Sequence, residues 1–163
     1  MNVYPWLMFV HVAGLLAFVM GHGASAMVSF RLRGERELPR VRALLDLSSA
    51  SIGLMYVGLL LLLASGIAAG FNGGHWDRLW IWASLGLLIV IIGSMYPMGS
   101  LWYGRVRNAA GMRSYRDPGD GPPPEANPGV LDELLSSPRP WLLLGIGGGG
   151  ILVILWLMLM QPF

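Results

Sequence analysis

The chain of 163 residues contains no cysteine and no lysine, since all 11 of its basic residues are arginine. Without cysteine there can be no disulfide, thiolate zinc site, iron–sulfur cluster, covalent c-type haem or thiol nucleophile. Any cofactor must therefore be held by His, Met, Tyr or backbone. Charge is scarce as well, at 12% of residues, and it is segregated. Eight charged residues fall in 31–46, two at 77–78 and ten in 105–139. The uncharged runs 1–30, 47–76, 79–104 and 140–163 each exceed the roughly 20 apolar residues that cross a hydrocarbon core of about 30 Å. A soluble domain would carry charge on every helix, so composition excludes a soluble enzyme, a disordered chain and a nucleic-acid reader. What remains is an all-α, integral membrane four-helix bundle occupying 1–163 as one domain, with spans at about 5–31, 47–70, 78–104 and 141–160.

Arginine placement orients these spans. The three loops hold five, one and five arginines, so the positive-inside rule makes 32–46 and 105–140 cytoplasmic and puts both termini outside. The setting this implies is a bacterial inner membrane. The first run has no basic n-region and leads directly into an arginine cluster, so it reads as a retained helix and not as a cleaved signal. Pro5 and Pro39 suit the first turns of helices 1 and 2, where a missing N–H costs nothing. Pro97 lies inside helix 3 and predicts a kink. Asn127-Pro128 followed by Val130, Leu131, Leu134 and Leu135 predicts a short helix on the membrane surface within an otherwise irregular loop. All seven tryptophans, Trp6, Trp76, Trp80, Trp82, Trp102, Trp141 and Trp156, fall at span ends, mostly as interfacial anchors.

Small residues supply the expected contact faces, because helices in lipid associate through close packing. These are Ala13, Ala17, Gly21 and Ser25 in helix 1, Gly66 and Gly70 in helix 2, and the run Gly145 to Gly150 in helix 4, with Gly145 and Gly149 as a tight crossing or a dimer seam. The glycine run is not a phosphate loop, since no Lys-Ser/Thr follows it.

No Asp, Glu, Lys or Arg lies at membrane depth, which argues against an ion-coupled transporter, a pump or a hydrolase. The residues there that titrate near neutral pH are His11 and His22. They are eleven residues apart, three turns plus about 20°, so they share a face with Gly14, Leu15, Phe18, Ser25 and Ser29 yet stand about 16 Å apart along the axis. Each ring therefore needs its own partner. His22, between Gly21 and Gly23, lies at the depth of Met95, Tyr96 and Met98. His11 lies at the depth of Met158 and Met160, and a second copy could offer its own His11 across a two-fold axis. Three readings stay open: a b-type haem on His11 or His22, a histidine hydrogen-bonded across helices, or a copper site using the ten methionines. His75 reads as a loop residue. The arginines of 31–42 could meet anionic lipid headgroups or a cytoplasmic partner.

Met8-Phe9-Val10-His11-Val12-Ala13-Gly14, with Gly21-His22-Gly23-Ala24-Ser25-Ala26 and the arginine-rich turn after it, resembles an uncharacterised family of bacterial four-helix integral membrane proteins. That family is similar at a distance to CopD and HemJ type membrane proteins. The resemblance spans all four helices in layout and implies haem b or copper handling at a first-helix histidine, which here is His11. The lysine that HemJ-like proteins carry in a later helix has no counterpart in this chain. The function expected is a haem-binding module for electron transfer or porphyrin handling, as a homodimer or in a small membrane complex. The alternative is a cofactor-free scaffold or partner subunit.

Overall fold

The computed structural model describes residues 2–114, 117 and 121–163. Among them every regular element is a helix. Four helices are long and apolar enough to cross a membrane: α1 (Tyr4–Gly34), α2 (Leu38–Gly73), α3 (Leu79–Ala109) and α5 (Arg139–Met160). A short helix, α4 (Pro128–Leu135), precedes α5. Only 11 to 22% of each apolar window is buried, so most of the apolar surface faces outward, including Trp6, Phe9, Leu60, Ile89 and Leu159. Water would penalise that surface heavily, whereas lipid does not.

Prolines start the helices as their chemistry requires. Pro5, Pro39, Pro128 and Pro140 occupy first-turn positions. Asn127 caps α4, its side-chain oxygen accepting the Val130 N–H at 3.1 Å. Helix α2 ends at Gly74, whose φ of 64° suits glycine and lets the turn close back on Gly70 and Phe71. The helices run further than the apolar spans alone, beginning at Leu38 in α2 and continuing to Ala109 in α3.

Two helices are not regular. Tyr96–Ser100 in α3 and Leu144–Gly148 in α5 are π turns. The first contains Pro97, whose missing N–H and ring bulk break the ordinary hydrogen-bond ladder. The second contains three glycines, Gly145, Gly147 and Gly148, and was not foreseen from the sequence.

Packing differs along the bundle. Helices α1 and α2 meet backbone to backbone through glycines. A Cβ on Gly14 would stand 2.6 Å from the Leu62 nitrogen, one on Gly21 would stand 2.7 Å from the Met55 nitrogen, and one on Gly58 would collide with the Phe18 backbone beside Ala17. Gly66 and Gly70 instead receive rings, those of His11 and Trp76. Ala13 is half-buried. The large apolar core lies at the charged end, where Val28, Leu32, Val41, Leu45, Trp102, Val106, Leu131 and Leu135 cluster. Amphipathic α4 closes that core from the side, as its Leu131 and Leu135 are buried while Asp132 and Glu133 are exposed.

Gly14→Ala is expected to destabilise the protein by about 1–3 kcal/mol through overpacking against backbone. Gly23→Ala, whose Cβ meets nothing within 4 Å, should be neutral or stabilising by a few tenths. Thermal unfolding of the two variants in detergent tests the contrast, and equal behaviour would refute the α1–α2 seam.

Candidate functional site

His11 lies on the α2 side of α1. Its Nδ1 is 2.9 Å from the Leu62 carbonyl oxygen and 3.5 Å from the Ser65 hydroxyl, while its ring rests on Gly66, where a Cβ would be 2.8 Å from Cε1. A carbonyl can only accept, so Nδ1 carries the proton and donates it. The neutral ring therefore keeps its lone pair on Nε2, which has no hydrogen-bond partner among the described residues. Ser65 is itself satisfied within α2, donating to the Leu61 carbonyl and sharing Leu62 at 3.3 Å. This leaves the imidazole oriented by α2 with one ligating nitrogen unused. Metal-bound histidines usually show this pattern, in which the second nitrogen donates to a carbonyl or carboxylate.

His22 is placed differently. Its ring stacks on Phe18 with centroids 5.7 Å apart and planes 9° apart. Its Nε2 comes within 3.0 Å of the position a Cβ on Gly147 would take, and the Met95 Cε comes within 3.1 Å of the same point. Helices α1, α3 and α5 thus converge on one missing side chain, at the edges of both π turns. Nearby, a Cβ on Gly150 would run into the Ile91 side chain. The two histidines share the broad polar face expected of α1, but His11 turns to α2 and His22 to α5 and α3.

Below His22 toward the charged end, hydroxyls join three helices. Ser25 and Ser48 are 2.8 Å apart between α1 and α2, and the Tyr103 hydroxyl donates to the Ser25 carbonyl at 2.7 Å from α3. Ser29 and Ser48 are buried, with Ser29 donating to the Ala26 carbonyl at 2.7 Å. These bonds tie α1 to both neighbours where the apolar layer gives way to the core.

Of the other expected ligands, Met95 is brought to His22, Tyr96 is 54% exposed and faces outward, and Met98 is half-buried. Gly145 and Gly149 are exposed, and a Cβ on either would meet nothing within 4 Å. The helix contacts expected of them are made by Gly147 and Gly150, and Gly145 and Gly149 join Leu152 and Trp156 in an outward stripe. His75, at the opposite end from the charged loops, is tied in more closely than a solvated loop residue. Its Nε2 is 3.4 Å from the Tyr4 hydroxyl, and its ring lies 6.1 Å from that of Trp80.

A haem would be held differently at the two rings. At His22 the position in front of Nε2 is taken by the Gly147 backbone and the Met95 methyl, so an axial bond with a porphyrin plane across it does not fit. At His11 the donor chemistry does fit, because Nε2 is unpartnered and the tautomer is set. A cavity of about 230 Å³ lies at the charged end beside Arg36, Leu38 and Leu131, and an open apolar groove runs between Ile67, Phe71, Trp76 and Trp82. Neither is lined by a histidine. No three metal-ligating His, Asp or Glu side chains gather among the described residues.

No family model, curated protein or solved structure matches the chain.

Gly147→Leu should displace His22 and Met95 and lower the unfolding temperature by several degrees, whereas Gly149→Leu should leave it within about a degree. Matched melting curves of the two variants would contradict the convergence on Gly147.

Proposed function

We propose that the chain is a multi-pass protein of the bacterial cytoplasmic membrane, with both ends outside, that holds a b-type haem through Nε2 of His11. Its role would be electron transfer or porphyrin handling. The observation that carries this reading is the bond from His11 Nδ1–H to the Leu62 carbonyl, which orients the ring and leaves Nε2 as the ligating atom. A bound haem would supply one-electron chemistry in the outer half of the bilayer. The protein's part is to hold the imidazole. The Leu62 carbonyl fixes the tautomer and orients the ring, Gly66 admits the ring edge-on to α2, and the apolar surroundings exclude water. Copper handling has less support, since His22 and Met95, a nitrogen–thioether pair, are packed onto Gly147.

A second reading is a cofactor-free partner subunit that presents a face to a second copy or to another membrane protein. The stripe Gly145, Gly149, Leu152 and Trp156 favours it, because glycines four apart on an uncovered helix face permit close approach of another helix.

Absorbance separates the two readings. Protein purified from haem-sufficient cells should show a Soret band that disappears in His11→Ala and persists in His22→Phe. Absence of the band in the wild type, or its survival in His11→Ala, overturns the haem assignment.

Orientation is tested on the cysteine-free background. Asn72→Cys should react with an impermeant maleimide in intact spheroplasts, and Ser136→Cys only after permeabilisation. The reverse pattern would invert the topology.

A further inference from the structure

The arginines at the charged end fall into two groups. Arg36 meets Asp132 at 2.6 Å, and Arg40 meets Glu37 at 3.0 Å and Glu35 at 3.9 Å. Arg42 donates to the Ala110 carbonyl at 2.9 Å, and Arg107 donates to Ser49 at 3.0 Å and to Asp46 at 3.4 Å. Arg36, Arg42 and Arg107 staple the loops to the core, and Arg40 is neutralised within its own turn. The nearby acids are consumed too. The Glu35 carboxylate accepts the backbone N–H groups of Glu37 and Arg36, which with the charge of Arg40 hold its pKa below the ordinary glutamate value.

Arg31, Arg33, Arg105 and Arg139 have no side-chain partner among the described residues. Three of these bracket one seam. Phe30, the residue before Arg31 and three before Arg33, meets Trp141 edge to face with centroids 4.8 Å apart and planes 73° apart. Arg31 and Arg33 lie in the last turn of α1, Arg139 opens α5 two residues before Trp141, and Trp141 is 61% exposed. An aromatic pair at the boundary of the apolar layer, flanked by unneutralised guanidinium groups on two helices, combines the two halves of a phospholipid site. The rings lie against the glycerol and upper acyl region, and the arginines offer hydrogen-bond forks that match phosphate geometry.

We infer that the α1–α5 seam at the charged end binds an anionic phospholipid headgroup, with Arg31 and Arg33, which leave α1 on either side of Phe30, and Arg139 of α5 around the headgroup and the Phe30–Trp141 pair beneath it. The site is independent of the haem reading, since it shares no residue with His11. It also divides the arginines of 31–42 into Arg31 and Arg33, which meet lipid, and Arg36, Arg40 and Arg42, which serve the fold.

Native mass spectrometry of the full chain in detergent, equilibrated with equimolar phosphatidylglycerol and phosphatidylcholine, tests the site. The wild type should retain phosphatidylglycerol preferentially, and the preference should fall about fivefold for each of Arg33→Gln and Arg139→Gln. Arg40→Gln removes the same charge from the same end and should leave the preference unchanged. Arg33→Lys with Arg139→Lys keeps both charges and so controls for loss of fold, and it should restore most of the preference. Equal retention of the two lipids by the wild type overturns the site. So does a loss in Arg40→Gln as large as that in Arg33→Gln, which would make the effect one of overall charge.

Discussion

Helices surrounded by hydrocarbon would gain nothing by hiding apolar side chains from one another, and the packing of this molecule follows that single constraint. With the usual driving force absent, α1 and α2 adhere where backbones can touch, at Gly14, Gly21 and Gly58, and where polar groups can reach across, at His11 with Leu62 and Ser25 with Ser48. Large apolar side chains on the same helices point outward. The constraint ends where water returns. At the charged end leucine, valine and tryptophan pack into a core of the kind found in soluble proteins, closed by the amphipathic α4.

The two packing regimes explain why the arginines are not interchangeable. A water-facing core needs its loops pinned, and Arg36, Arg42 and Arg107 do so by reaching carboxylates, a hydroxyl and carbonyls. The hydroxyl and tyrosine bonds around Ser25 mark the crossover, where polar groups can still act as glue and apolar burial begins to contribute. His11 belongs to the first regime. Its bond to Leu62 clamps α1 to α2 and fixes the orientation of the ring.

Much of the layout was legible in the sequence because charge and proline act locally. Emptying charge from four runs marks four apolar helices whatever their neighbours, and Asn127-Pro128 starts a helix by its own side-chain bond. The site was less legible. Wheel geometry places His11 and His22 on one face, and it does so correctly, but that face is wide enough to meet two helices, and only the packing determines which ring turns where. The glycines of α5 show the same limit. Counting by fours selects Gly145 and Gly149, yet the π turn at Leu144–Gly148 inserts an extra residue and rotates the contact to Gly147 and Gly150. An extra residue in a helical ladder leaves no compositional mark beyond the glycines that tolerate it.

Helix α2 has 36 residues, and at about 1.5 Å each it is roughly 54 Å long against a hydrocarbon layer of about 30 Å. A rod of that length would project well beyond such a layer if it crossed one. The projecting part would be a pedestal built from continuations of the apolar helices themselves. Because the pedestal and the spans are the same helices, a tilt imposed by a thinner or thicker bilayer would swing the Leu38–Leu45 end as one rigid body. The charged face would then register membrane thickness as a change of angle, carried there by the helix backbone itself.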